Sequence, residues 1–117
     1  MTTLDATALV MEHIEAYNAR DLDRTVSYYA SDARIFGGDG TLLDDGREAI
    51  RAACGRVFAV NPELHADIPA VVQVGPWVMV HSIVPNWAMA DGSRGEMQWI
   101  ELYQVVDGKI QRVQLFR

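Results

Sequence analysis

The sequence predicts a single α+β domain in which three N-terminal helices pack on a curved antiparallel sheet. Apolar residues recur at helical spacing before Pro62, and after it the pattern is strand-like to the end. Two Asp-Gly pairs, at Asp91 and Asp107, separate the last three apolar stretches, which is a strong signal for hairpins. Helices followed by strands are typical of α+β folds. At 117 residues the chain has the length of one domain, so we expect residues 1–117 to form one unit.

The first two helices follow from apolar spacing and a capping signal. Residues 4–18 carry apolar side chains three and four positions apart, with polar residues on the other side. Asp21 has the side chain and position of an N-cap for a second helix. That helix is predicted to bury Leu22, Val26 and Tyr29 on one face.

The third helix is predicted in "DDGREAIRAACGRVFAV", residues 44–60. Asn61-Pro62 ends it, because the residue before a proline is disfavoured from the helical region. Its buried side is predicted to carry apolar and small residues at helical spacing: Ala49, Ile50, Ala53, Cys54, Val57 and Phe58.

The strands are predicted from runs rich in β-branched and aromatic residues. "ARIFGGDGTLL" has the pattern of two short strands around a Gly-rich turn. After Pro62 the candidates are "ELHADI", "AVVQVG", "WVMVHSIVPNWAMA", "GEMQWIELYQVV" and "KIQRVQLFR".

Composition excludes several classes of partner. The net charge of −6 and pI near 4.8 repel nucleic acids and anionic membranes, and no cluster of Lys and Arg offsets that repulsion. No apolar run is long enough to span a bilayer, and the N-terminus lacks the features of a signal peptide. The single cysteine, Cys54, excludes an internal disulfide and fits a reducing compartment. We therefore expect a cytoplasmic domain.

One charged residue interrupts an apolar strand face. In "MQWIELYQVVDGKI" alternate positions read Met97, Trp99, Glu101, Tyr103 and Val105, and alternate side chains share one face of a strand. An unpaired carboxylate is costly to bury, so a buried Glu there would keep its proton and be able to act as an acid. The alternative is a solvated Glu on an open sheet face, or one held in a dimer interface by an Arg such as Arg94 or Arg117.

Two long blocks carry a resemblance to a known superfamily. "IEAYNARDLDRTVSYYASDARIFG" and "WIELYQVVDGKIQRVQLF" resemble the nuclear transport factor 2-like superfamily, in its SnoaL-like and ketosteroid isomerase-like branch. The resemblance implies a cone-shaped curved antiparallel sheet closed by helices, with a deep pocket, usually in a homodimer. It extends over nearly the whole chain, but most matching residues are caps, turns and packing positions.

The resemblance also implies positions for site residues. Ketosteroid isomerase uses a protonated Asp and a Tyr as an oxyanion hole beside an Asp base. Glu101 falls on the position of the protonated Asp, and His13 on that of the Tyr. The position of the base falls on Gly37, which has no side chain to accept a proton. The resemblance therefore does not extend to the ketosteroid isomerase mechanism.

Aromatic and polar residues around these two are expected to contact a ligand. A hydroxyl from Tyr17 or Tyr103 could orient a carbonyl oxygen, and the sequence does not choose between them. Alignment with the family by residue spacing puts Val84, Asn86 and Ala88 on the same sheet face as Glu101, and His81 on the opposite, outer face. Alternatively, a longer, bulged loop at Asp91-Gly92 would bring His81 and Glu101 to the same face. The predicted substrate-binding residues are Tyr17, Tyr29, Phe36, Phe58, Asn86, Trp99 and Tyr103.

Other chemistries find no support in the sequence. The three His residues have no metal-ligand spacing, and "FGGDG" lacks the Lys and helix of a phosphate-binding loop. No Ser stands in a nucleophile elbow. Asp32 and Asp39 are expected in turns or caps, and His65 on a solvated strand edge. We expect neither a metal nor a cofactor.

Two functional hypotheses remain. The first is a cofactor-independent isomerase, cyclase or dehydratase acting on a small apolar carbonyl or hydroxyl compound, such as a polyketide, terpenoid or steroid. In it Glu101 is the acid or polarising donor, and His13 is a base or an oxyanion donor. The second is a non-catalytic module of the same fold that binds a small hydrophobic ligand or dimerises.

Overall fold

The computed structural model describes residues 5–117 and contains three helices and six strands in that range. The predicted start of the first helix at residue 4, like the rest of 1–4, lies outside the described residues. The helices are α1 (Ala6–Asn18), α2 (Leu22–Ser27) and α3 (Arg47–Val60). The strands are β1 (Tyr29–Gly37), β2 (Leu42–Asp45), β3 (Asp67–Val74), β4 (Trp77–Ala88), β5 (Arg94–Val106) and β6 (Lys109–Phe116).

Short polar side chains begin the first two helices. The Asp5 carboxylate accepts a hydrogen bond from the Ala8 N–H at 2.7 Å, and Asp21 accepts from the Arg24 N–H at 3.1 Å. The N-cap predicted at Asp21 is thus confirmed. The prediction that Tyr29 lies on α2 is wrong, because the helix ends at Ser27 and Tyr29 begins β1.

The third helix begins and ends at two special backbone positions. Gly46 precedes it with φ of 95°, a left-handed conformation that glycine adopts without steric cost. Asn61, before Pro62, caps its C-terminus as predicted. Asp44 and Asp45, which were predicted at the start of this helix, belong instead to strand β2.

All six strands form one curved, unclosed sheet in the order β2-β1-β6-β5-β4-β3. Neighbouring strands are antiparallel except β1 and β6, which are parallel. These two are distant in sequence, so no hairpin fixes their relative direction. Residues 67–74 form one edge strand where the sequence predicted two strand-like stretches, with a register irregularity around Pro69.

The helices cover one face of the sheet, here called the inner face. Its core contains Val10 and Ile50 from the helices and Val80, Tyr103 and Val113 from the sheet. None of the three helices of residues 5–117 lies on the opposite, outer face. It carries an outer apolar patch of six exposed residues on β3 to β6: Val72, Val74, Trp77, Met79, Ile100 and Phe116.

Candidate functional site

A cavity of about 250 Å³ lies between the helices and the inner face of the sheet. Its walls are mostly aromatic and aliphatic, as is usual for small-molecule sites. Few polar groups reach it, and the carboxylates of Glu101 and Asp44, the His13 imidazole and the Ser82 hydroxyl are among them. Arg117 also contributes to its lining.

Glu101 stands on the inner face of β5 and is bonded to three side chains. The Trp99 indole N–H donates to Oε1 at 2.7 Å, and the Ser82 hydroxyl donates to the same oxygen at 2.8 Å. The Tyr103 hydroxyl donates to Oε2. An indole N–H can only donate, so Oε1 is necessarily an acceptor. Glu101 is therefore half-buried and hydrogen-bonded to three side chains, whereas the strand pattern indicated an isolated carboxyl group.

His13 reaches the cavity from α1 with its imidazole unsatisfied. The residue is only 3% exposed, and within the described part of the chain neither ring nitrogen has a hydrogen-bond partner. Burial lowers the pKa of His13 from 6.5 to about 4. The neutral imidazole carries one N–H donor and one acceptor nitrogen. His13 thus offers unused hydrogen-bonding capacity to whatever occupies the cavity.

Tyrosine rings surround His13 edge-on. The ring of Tyr29 is 5.0 Å from that of His13 and the ring of Tyr103 is 5.7 Å away, both in T-shaped contacts. Burial raises the pKa of Tyr17, Tyr29 and Tyr103, and the nearby Glu101 charge raises each further. These phenols therefore remain protonated at neutral pH and act as hydrogen-bond donors.

Trp99 and Arg117 line one side of the cavity, and Trp87 packs behind Trp99. The Trp87 and Trp99 rings meet edge to face at 5.2 Å. The Arg117 guanidinium carbon lies 4.9 Å from the Trp99 ring centre and 5.8 Å from that of Trp87. Arg117 makes no ion pair with Glu101 among the described residues. The pairing of Glu101 with an Arg across a dimer interface stays a prediction.

Asp44 and Cys54 also line the cavity, and the sequence analysis gave Asp44 no role. Burial raises the pKa of Asp44, while the Arg56 charge opposes that shift. Burial, and then the Asp44 charge, raises the pKa of the Cys54 thiol to about 11, which leaves it unreactive at neutral pH. Asp44 was missed because "DDG" before an amphipathic stretch has the pattern of a helix start.

Six of the nine predicted site residues line the cavity: His13, Tyr17, Tyr29, Trp99, Glu101 and Tyr103. Phe58 is not among the residues that line it, and packs against Tyr17 with ring centres 5.1 Å apart. Phe36 also lies away from the cavity, beneath the Arg112 guanidinium at 4.0 Å from the ring centre.

Asn86 lies outside the cavity, because the sheet is irregular there. A register shift between Val84 and Trp87 interrupts the alternation that placed Asn86 beside Glu101, and brings Trp87 against Trp99 instead. His81 pairs with Ile100 and contacts Gln98 at 2.9 Å. It therefore faces away from Glu101, and its predicted position on the outer face is confirmed.

Other kinds of site are not evident within residues 5–117. No group of three His, Cys, Asp or Glu side chains in this range converges to hold a metal ion. None of the helices in this range is long and apolar enough to cross a membrane.

The chain is similar to a known domain family and to many solved structures. The sequence model of the SnoaL-like domain matches residues 10–113. An uncharacterized cystatin-fold protein from Novosphingobium aromaticivorans is 30% identical, with a TM-score of 0.87, over 97% of this chain and 99% of that one. No curated protein matches the sequence.

Two further solved structures share the fold at lower identity. A putative polyketide cyclase from Xanthomonas campestris pv. campestris is 22% identical, with a TM-score of 0.75, over 96% of this chain and 89% of that one. A putative ketosteroid isomerase from Kribbella flavida is 18% identical, with a TM-score of 0.77, over 95% and 76% of the two chains.

Proposed function

The chain belongs to the SnoaL-like domain family of the nuclear transport factor 2-like superfamily, and from this premise we propose that it is a cofactor-independent acid–base enzyme. Its substrate is a small, largely apolar carbonyl or hydroxyl compound, and its reaction moves a proton next to a carbonyl group. The observation that carries this proposal is the buried His13 imidazole, unsatisfied among residues 5–117, in the same cavity as the Glu101–Tyr103 pair.

His13 acts in this proposal as a donor to the substrate oxygen. A conjugate acid with a pKa of about 4 makes a weak base at neutral pH, so the lowered pKa favours the oxyanion-donor role over the base role. The neutral N–H meets no competing acceptor among the described residues. A buried donor aimed at developing negative charge is the arrangement that stabilises an enolate.

The Glu101–Tyr103 pair supplies the second polarising group. When Tyr103 donates to Glu101 Oε2, its hydroxyl proton is engaged. When Oε2 takes up a proton from solvent, Glu101 donates to the phenol oxygen and the Tyr103 O–H, which keeps its own proton, turns towards the cavity. Negative charge on a bound oxygen favours this second arrangement, since Tyr103 then donates to it.

The size and lining of the cavity narrow the substrate class. Small-molecule pockets commonly occupy roughly 300–1,000 Å³, and this one, at about 250 Å³, lies below that range. A putative polyketide cyclase and a putative ketosteroid isomerase share this fold. Polyketide and terpenoid fragments of one or two rings fit the volume better than a full steroid.

A non-catalytic ligand-binding module is the second candidate. It is favoured by the three side chains that already satisfy Glu101, because a carboxylate so engaged can be purely structural. The unpartnered His13 nitrogens favour the enzyme instead.

An isotope-exchange experiment separates the two candidates. We would measure, by proton NMR in D₂O, how fast the protein exchanges the protons beside the carbonyl of 2-tetralone, a two-ring ketone. The enzyme hypothesis predicts accelerated exchange that Glu101→Gln abolishes and that Glu96→Gln, an exposed acid on the same strand, preserves. Binding of 2-naphthol, which resembles the enol, without any exchange would favour the binding module.

We also propose that the protein is a cytoplasmic homodimer built from single-domain protomers. The outer apolar patch supports dimerisation, because six apolar side chains on four strands remain exposed in one copy. Two such sheet faces can pack on each other as in a β-sandwich. The single cysteine supports a reducing compartment.

A further inference from the structure

The family position of the base is empty in this chain, and the neighbouring strand brings a carboxylate to the same wall. Gly37 on β1 has no side chain to accept a proton. On β2, Asp44 pairs with Ile35 and Leu42 pairs with Phe36, so Leu43 is an extra residue in a β-bulge. The bulge interrupts strand alternation, and both Leu43 and Asp44 line the cavity.

Asp44 lies in the same row of the sheet as Tyr103. The pairings Asp44–Ile35, Ile35–Val113 and Val113–Tyr103 connect them across four neighbouring strands. Three inter-strand spacings separate their backbones by roughly 14 Å. Both side chains line the same cavity, from opposite ends of this row. The two groups can therefore address opposite sides of one small ligand.

The other acids on β1, on β2 and in the turn between them have partners, whereas Asp44 has none within residues 5–117. Asp45 forms an ion pair with Arg34 at 3.0 Å, and Asp39 accepts from the Thr41 N–H at 2.9 Å. Asp32 accepts from Gln111 at 3.0 Å. The Asp44 carboxylate makes no hydrogen bond or ion pair within residues 5–117. Its oxygens are free to take a proton.

The charges of Asp44 and Glu101 act on the same tyrosine in the cavity, Tyr29. Burial raises the pKa of the Tyr29 phenol, and the charges of both Glu101 and Asp44 raise it further. Desolvation raises the pKa of Asp44, which strengthens it as a base, and Arg56 is the one cation found to oppose this shift. Cys54 is neutral at neutral pH and does not compete for the proton.

We propose that Asp44 is the general base, placed by the β2 bulge where it replaces the missing side chain of Gly37; this rests on the function proposed above. An Asp44 oxygen removes a proton from the carbon beside the carbonyl of a one- or two-ring ketone. The C–H electron pair forms the C=C bond of an enolate, and the carbonyl π electrons move to the oxygen. His13 and Tyr103 donate hydrogen bonds to that oxygen.

The catalytic cycle is completed without an oxidant or a reductant. Collapse of the enolate restores the C=O bond, and the electrons of the C=C bond take the proton back from Asp44 at the same carbon or at a conjugated one. Return to the same carbon in D₂O exchanges the isotope, and return to a conjugated carbon isomerises the ketone. Asp44 ends each cycle ionised.

The test compares Asp44→Asn with matched variants in the 2-tetralone exchange assay, using the full chain. Asp45→Asn is the control, because Asp45 is the adjacent, exposed acid of the same strand. Asp44→Glu keeps a carboxylate on a longer arm. Circular dichroism and 2-naphthol affinity report whether each variant keeps its fold and cavity.

We expect Asp44→Asn to slow exchange by about 100-fold or more, the usual effect of losing a general base, with 2-naphthol affinity within about threefold of wild type. Asp45→Asn should match wild type, and Asp44→Glu should retain part of the rate. Exchange by Asp44→Asn within about threefold of wild type would overturn Asp44 as the base and leave the proposed enzyme intact. A wild-type protein that binds 2-naphthol but exchanges nothing would overturn both.

Discussion

Trp99 donates its indole N–H to Glu101 Oε1 at 2.7 Å from a position two residues earlier on the same strand. Side chains at i and i+2 of a strand share a face and lie about 7 Å apart at their backbones, which a tryptophan ring spans. Ser82, directly opposite Trp99 on β4, donates to the same oxygen. The carboxylate is thus held from its own strand and from the next one.

Removal of the Ser82 hydroxyl should destabilise the fold, because Glu101 Oε1 loses a hydrogen bond. Ser82 is 1% exposed, and a hydrogen bond to a charged group contributes about 2 kcal/mol. We expect Ser82→Ala to lower the free energy of unfolding in urea by about that amount. Ser93→Ala, in the exposed β4–β5 turn, should change it by less than about 0.5 kcal/mol. Equal effects at the two positions would contradict a structural role for the Ser82–Glu101 bond.

His13 should make the protein less stable in acid. Its pKa is about 4 in the folded state and 6.5 when unfolded, so the unfolded chain binds more protons between these values. Stability is therefore fully present above pH 6.5 and falls as the pH drops towards 4, by about 3 kcal/mol from this residue.

The check for His13 is the pH dependence of urea unfolding. His13→Phe keeps a ring among the tyrosines and should flatten the slope between pH 6.5 and 4 relative to wild type. His81→Gln, on the outer face, should retain the wild-type slope. A His13→Phe variant with an unchanged slope would show that another group accounts for the acid sensitivity.

An acid at the family's base position should be unfavourable in this chain. A Cβ on Gly37 would lie 3.2 Å from Asp39 Oδ1, which the Thr41 N–H holds in place at 2.9 Å. We expect Gly37→Asp to be less stable than Gly37→Ala, because it adds like-charge repulsion to the same close contact. Asp39→Asn should remove that difference, measured by thermal unfolding; a persistent difference would point to sterics alone.

The outer apolar patch should lose its self-association when a charge enters it. Ile100 lies within the patch, on β5, and is 39% exposed in one copy. We expect sedimentation velocity to show a wild-type dimer and an Ile100→Lys monomer, because a Lys in that interface would bury a charge. Val60→Lys, at the exposed end of α3, should stay dimeric. A monomeric wild type would refute the homodimer.

The amino-acid sequence was enough to predict the α+β class, the N-cap at Asp21 and the end of α3 at Asn61. Each of these depends on local chemistry: a short side chain that caps free N–H groups, or a proline that excludes the helical region from the residue before it. Strict alternation over Met97–Val105 likewise placed Trp99, Glu101 and Tyr103 on one face.

The surroundings of Glu101, and the presence of a second acid in the cavity, depend on the tertiary structure. The register of β4 against β5 brings Ser82 to Trp99 and moves Asn86 out, while the bulge at Leu43 aims Asp44 inward. One extra residue in a strand moves the side chains that follow it to the opposite face of the sheet. The amino-acid composition gives little indication of where such a bulge occurs. His13 was identifiable from its helix face. The lack of hydrogen-bond partners for its nitrogens within residues 5–117 depends on how Tyr28–Tyr29 and Tyr103, which are distant in sequence, pack around it.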